Sequence, residues 1–234
     1  TAIHGTLPAL EAVIADARAA GATGFVNLGD SLSGPLWPAE TADLLIAEDW
    51  PRIAGNHERQ LLTHAPERMN ASDRFARQCL SATHLAWLAA QPETLMVDDV
   101  LCVHGSPRSD VEHLVHSVEG AGLRDAADAE IDERLSDAVA PLILCGHTHV
   151  ARIVALADGR AVANPGSVGL QAYTDDHPAF YAVENGDPLA RYALVRGHDV
   201  ELRAIPYDHH AAAAKAAREG RADWAQALRS GRNG

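Results

Sequence analysis

Two glycine-bounded turns, Gly55-Asn56-His57-Glu58 and Gly146-His147-Thr148-His149, each set a nitrogen or oxygen donor beside a histidine. Turns of this kind present ligands to a divalent metal while letting the backbone bend sharply. Gly29-Asp30 and Val103-His104-Gly105 fit the same logic, and four ligand-bearing turns in one chain suggest a metal-dependent hydrolase. Two metals about 3.5–4 Å apart need a ligand that bridges both. Asp30, at the end of an expected strand, can aim both carboxylate oxygens into a cleft and is the candidate bridge. The Asn56 carbonyl and the neutral imidazoles of His4, His104, His147 and His149 fill the other positions without crowding the site with negative charge. A mixed nitrogen and oxygen set suits Mn, Fe, Zn, Co or Ni better than Ca, and manganese is the leading expectation. Two such ions would lower the pKa of a shared water and give hydroxide for in-line attack on phosphorus. His57, next to a ligand, is placed to protonate the leaving alkoxide. His64, His84, His113, His116, His177, His198, His209 and His210 lie outside any ligand-like context and are expected on the surface or at helix ends.

Strands and helices must bring these turns together. Thr6-Leu7-Pro8 reads as a helix start with an N-cap and an early proline; Leu10, Val13, Ile14 and Ala17 repeat at helical spacing, and Gly21 stops the helix. Phe25–Leu28 is expected as a strand ending at Gly29-Asp30, and Ala39–Ala47 as a second helix leading to Arg52-Ile53-Ala54 and Gly55. A helical region is expected over Ala71–Ala90, a strand over Val100–Val103, a helix over Asp125–Val139 and a strand over Leu142–Cys145. An apolar strand thus precedes several ligand types, and open α/β sheets collect ligands at the C-terminal ends of their strands. Beyond Val150, the segments 153–156, 160–163, 179–184, 189–195 and 200–205 read as short strands, with turns at Asp158-Gly159, Asn185-Gly186 and Gly197. They are expected to form an antiparallel second sheet, followed by an Ala-rich amphipathic helix over His209–Leu228.

With 234 residues and no linker or repeat, the chain is expected to be a single domain, 1–234. No apolar run approaches the roughly 18 residues of a membrane span, and no membrane partner is expected. A net charge of −13 repels nucleic-acid backbones, so nonspecific nucleic-acid binding is not expected, although a small phosphoester is compatible with a locally cationic site. Cys79, Cys102 and Cys145 are an odd count, two of them in apolar runs, which points to reduced thiols and a cytoplasmic setting.

The chain resembles the calcineurin-like metallophosphoesterases, in particular the small YfcE-like bacterial branch. His4 precedes Gly29 by 25 positions and Asp30 precedes Gly55 by 25, matching that family's Asp-x-His, Gly-Asp, Gly-Asn-His-Asp/Glu, Gly-His and Gly-His-x-His series. The likeness extends through 4–11, 29–36, 104–107 and Asn164-Pro165-Gly166-Ser167-Val168-Gly169. It implies an α/β fold, a four-layer α/β/β/α sandwich with two mixed sheets and the metal site at strand C-termini. It assigns His4, Asp30 and His149 to one ion, Asp30, Asn56, His104 and His147 to the other, and the proton-donor role to His57. A diester preference is implied by the resemblance alone.

The first motif departs from the pattern: Ala2 stands where the family has Asp, and Thr1 replaces the hydrophobic strand that precedes it. The functional protein is therefore expected to be longer, the first metal site weaker than the second, and catalysis impaired. The rival expectation is a catalytically inactive member of the fold serving as a protein-interaction scaffold.

Overall fold

Val100–Val103 and Leu142–Leu144 are uninterrupted apolar runs, a composition suited to strands covered on both faces. In the computed structural model, which describes residues 2–234, they pair in parallel at the centre of a five-stranded mixed sheet. Thr1 lies outside the described residues. Cys102, Val103, Leu142 and Ile143 are fully buried, each larger aliphatic contributing roughly 1.5–3 kcal/mol.

Chain order begins with helices α1 (Leu7–Ala19), α2 (Pro38–Glu48), α3 (Asn56–Thr63), α4 (Ala71–Cys79) and α5 (Ala82–Ala89). Strands β1 (Thr94–Val97), β2 (Val100–Val103), β3 (His116–Glu119) and β4 (Gly122–Asp125) come next, then α6 (Asp128–Leu135). The rest is β5 (Leu142–Leu144), β6 (Arg152–Ala155), β7 (Ala161–Asn164), β8 (Ala172–Asp175), β9 (Tyr181–Glu184), β10 (Ala190–Arg196), β11 (Asp199–Ile205), α7 (His209–Arg218) and α8 (Ala222–Ser230). The large sheet runs β1-β2-β5-β7-β6, with β2, β5 and β7 parallel and the two edges antiparallel. The C-terminal ends of its parallel strands lead directly into His104, the Gly146 turn and Asn164.

The α/β class stands, with several local corrections. Phe25–Leu28 forms no strand; its one ladder contact is the parallel bridge Asn27↔Arg52, which still sets Asp30 beside the Gly55 turn. The expected helix over 71–90 is two helices, because the Ser81 hydroxyl and the His84 imidazole cap a new start. The C-terminal helix likewise divides at Gly220, whose φ is +74. The helix expected over Asp125–Val139 begins at Asp128, since Gly120 turns β3 back onto β4 and Asp125 ends that hairpin.

The second sheet also takes another form. Strand β7, buried over Val162–Asn164, joins β5 in parallel, and the Gly159 turn folds β6 back beside it. The remaining late strands pair as hairpins β8–β9 and β10–β11, with no second mixed sheet among the described residues. Thr6 makes no side-chain cap on α1; its hydroxyl donates instead to the Gly169 carbonyl, tying the start of the chain to the Asn164–Gly169 segment. No helix among the described residues is long and apolar enough to cross a membrane.

Candidate metal centre

Six of the seven candidate site residues are buried, and their polar atoms meet at one point. Ligand atoms of His4, Asp30 and His149 lie within 4.8 Å of one another, as do those of Asp30, His104 and His147. Asp30 belongs to both groups. Asn56 Oδ1 lies 3.2 Å from His104 Nε2 and 3.1 Å from His147 Nδ1, and His104 Nε2 lies 3.0 Å from Asp30 Oδ2. His57 stands at the rim, its ring centroid 5.4 Å from that of His4 and its amide donating to Asp30 Oδ1.

The backbone is bent to achieve this. His4, Asp30, His147 and His149 all have φ between +55 and +66, a left-handed conformation costing non-glycine residues on the order of 1–2 kcal/mol each. Surrounding hydrogen bonds hold them there. The Ile3 and His4 amides both donate to the Asp30 carbonyl, and the Gly146 amide donates to the His104 carbonyl. Asn164 Nδ2 donates to the Gly146 carbonyl and to Thr148 Oγ1, bracing the turn between the two histidines. Glycine is required at 55: a Cβ there would strike Asp30 Oδ1 and sit 2.8 Å from the His104 ring.

Tautomers follow from the second nitrogen of each ring. His104 Nδ1 donates to the Leu28 carbonyl at 2.7 Å and His4 Nδ1 to the Ser33 carbonyl at 2.8 Å. In the neutral ring each Nε2 then carries a lone pair. The lone pair of His104 faces the Asp30 and Asn56 oxygens; that of His4 faces His149 Nε2 at 3.1 Å. A buried cluster of imidazoles around one shared carboxylate, with the Nδ1 atoms of His4 and His104 already committed to carbonyls, is a donor set that fits a divalent metal.

The electrostatics carry the same mark. Burial lowers the pKa of His4 to about 4 despite the pull of Asp30, and pushes His147 and His149 well below the usual imidazole value, so all three offer lone pairs. Burial is the largest influence on His104 and His57 and opposes a charge on each, but the raising influences together prevail: Asp30, with the Leu28 carbonyl and Glu58, shifts His104 upward, and Asp30, Asp73 and Glu58 raise His57 to about 10.

Several residues around the site lay beyond the sequence reading. The buried Glu58 carboxylate accepts the amides of Asp30, Ser31 and Gly55 at 2.7–2.8 Å, locking the two turns together. Burial, then Asp30, raises its pKa. Its place in Gly-Asn-His-Glu was the available signal. Asp73, from α4, pairs with His57 at 2.8 Å and had no motif to reveal it. His84, His113 and His116 are buried; His84 sits in the first turn of α5, a helix end, whereas the other two depart from the expectation. The fold encloses the latter two behind the Gly146 turn, where His113 bonds Tyr181 OH and His116 bonds Thr148 Oγ1. Tyr173 meets the His149 ring edge-on at 4.8 Å. Cys102 and Cys145 are buried free thiols, and Cys79 is exposed.

Ala2 is fully buried, and its carbonyl accepts the amides of Val168 and Gly169 and the Ser167 hydroxyl. Its methyl group offers no ligand atom, which leaves the His4, Asp30 and His149 cluster with three side chains. The centre opens into a cleft of about 920 Å³.

No curated protein matches the sequence. A metallophosphoesterase from Sphaerobacter thermophilus is similar in structure, with a TM-score of 0.75 and 23% identity over 99% of this chain and 100% of that one. The hypothetical protein PH1004 from Pyrococcus horikoshii OT3 gives 0.74 and 17% over 100% and 97%. The phosphoesterase YfcE from E. coli gives 0.38 and 20% over 87% and 96%, too loose a superposition to assign a branch. The calcineurin-like phosphoesterase superfamily domain matches residues 2–186, and the chain belongs to that superfamily.

Proposed function

We propose that residues 1–234 act as a single metallophosphoesterase domain that hydrolyses a phosphodiester or phosphomonoester with two divalent transition-metal ions. The observation that carries this reading is the convergence of the ligand atoms of His4, Asp30 and His149, and of Asp30, His104 and His147, each group within 4.8 Å and both sharing the buried Asp30 carboxylate. Asp30 would contribute to both ions; His4 and His149 would join it in holding one, and Asn56, His104 and His147 in holding the other. When bound, the ions supply positive charge to the phosphoryl oxygens and acidify a water. His57, oriented by Asp73 through Nδ1, presents Nε2 to the leaving oxygen and gives it a proton. Glu58 acts through the backbone, fixing the Asp30 and Asn56 turns against each other. Manganese is the first candidate ion. The free cysteines favour a reducing, cytoplasmic setting.

The test pairs metal analysis with hydrolysis of bis-p-nitrophenyl and p-nitrophenyl phosphate in Mn²⁺, Zn²⁺, Fe²⁺, Co²⁺ or Ni²⁺. Metal-dependent turnover, abolished by Asp30→Asn, is expected. Ala2 favours one alternative, an inactive scaffold of the same fold; metal bound at the site without turnover of either ester would select it.

A further inference from the structure

The cleft above the metal centre, about 920 Å³, has the capacity to enclose a whole small molecule, well beyond a phosphoryl group. Its lining is mixed in character. Arg59 is held by Asp110 and Arg221 by Asp223, but the exposed Arg68 guanidinium has no ion pair or hydrogen bond among the described residues. The segment joining β8 to β9 adds Phe180 and Asp176 to the same cleft. Phe180 is 59% exposed, and it is the aromatic member of the few large apolar side chains left open to solvent. Asp176 is exposed, and its carboxylate has no partner among the described residues. A molecule complementary to this lining carries an anion for the metal site and Arg68, and a flat aromatic group with N–H donors for Phe180 and Asp176.

We infer that the substrate is a nucleoside phosphoester whose base stacks on Phe180 with its N–H groups toward Asp176, while Arg68 neutralises its phosphate. This rests on the phosphoesterase reading and adds the substrate class. The reaction is hydrolysis: a water oxygen bonds to phosphorus, the bond from phosphorus to the leaving oxygen breaks, and that oxygen takes a proton, giving a monoester and an alcohol from a diester, or inorganic phosphate and an alcohol from a monoester.

The p-nitrophenyl ester of AMP and methyl p-nitrophenyl phosphate share a leaving group and differ in the nucleoside. With Mn²⁺ the first should exceed the second in kcat/KM by about ten-fold or more, the size of one base–aromatic stack. Phe180→Ala should bring the ratio toward one, and Phe180→Trp should restore it. Equal rates in the native protein, or a ratio that survives Phe180→Ala, overturn the nucleoside assignment and leave the phosphoesterase reading standing. If neither ester, nor the monoester p-nitrophenyl phosphate, is hydrolysed with metal bound, the phosphoesterase reading fails. Calorimetric titration with AMP and ribose phosphate then tests the base site alone. AMP binding tighter by about ten-fold, and lost in Phe180→Ala, supports that site, whereas equal binding overturns it.

Discussion

The Nδ1 atom of His57 lies 2.8 Å from Oδ1 of Asp73, a fully buried carboxylate whose other oxygen accepts a hydrogen bond from the Asn70 side chain at 2.7 Å. Asn70 also caps α4 through the Asp73 amide, so the carboxylate is held by the same turn that starts its helix. The pairing fixes the His57 tautomer and leaves Nε2 facing the cleft.

A dyad of this kind matters most when the leaving oxygen is a poor one. Asp73→Asn should lower kcat on alkyl phosphoesters by about 10–100-fold and on p-nitrophenyl esters by much less, because nitrophenolate departs without help. A merely structural role for Asp73 would depress both substrates equally, so the dependence of kcat on leaving-group pKa decides the matter.

Glu58 satisfies three buried amides with one carboxylate. Glu58→Ala strands all three at roughly 1–3 kcal/mol each, enough to remove much of the stability of an ordinary domain. Glu58→Gln keeps one acceptor oxygen and should fall between. Urea denaturation of the three proteins measures the order; an unchanged midpoint in Glu58→Ala would show that other contacts hold the turns.

Gly55→Ala is expected to fold yet bind metal poorly, since the added methyl displaces Asp30 and the His104 ring. Circular dichroism should remain native while metal content falls. Native metal content in this variant would refute the tight-approach argument.

The ligand turns were legible because each is contiguous and carries its own chemistry; six of the seven named residues converge, with His57 at the rim. Asp73 was not, since one carboxylate among many on a helix face has no signature until α4 packs beside His57. His113 and His116 were misread for a related reason: the β3–β4 hairpin that encloses His116 consists of partly polar strands with no alternating pattern. Strand β7 was misassigned because a three-residue apolar run fits an antiparallel hairpin and a parallel sheet equally, and its neighbour β5 decided the outcome.

Burial, reinforced by Arg152, lowers the pKa of His116 to about 4, although Asp125 pulls the other way. The unfolded chain binds its proton near 6.5, so between these values the unfolded state holds more protons than the native one. Stability should therefore be fully present above about pH 6.5 and decline as pH falls toward 4, by roughly 3 kcal/mol at most from this group. His113, also lowered to about 4, mainly by burial, acts in the same direction. His116→Gln should flatten the decline between about pH 7 and pH 5 in urea melts. A slope as steep as that of the native protein would assign it to other groups.

Under the proposed assignment Ala2 would leave the ion at His4, Asp30 and His149 with three protein ligands, whereas its partner would have Asp30, Asn56, His104 and His147. Carboxylate count sets much of the affinity of such sites for hard cations. Calorimetric titration with Mn²⁺ should accordingly resolve a tighter and a weaker event, with His147→Ala removing the first and His149→Ala the second. Ala2→Asp should strengthen the weaker event by about ten-fold or more and raise the hydrolysis rate with it. Because position 2 is fully buried, the variant must first be shown folded, and Ala2→Asn supplies a neutral control of the same shape. If Ala2→Asp folds and leaves both affinities where they were, the missing carboxylate is not what separates the two ions.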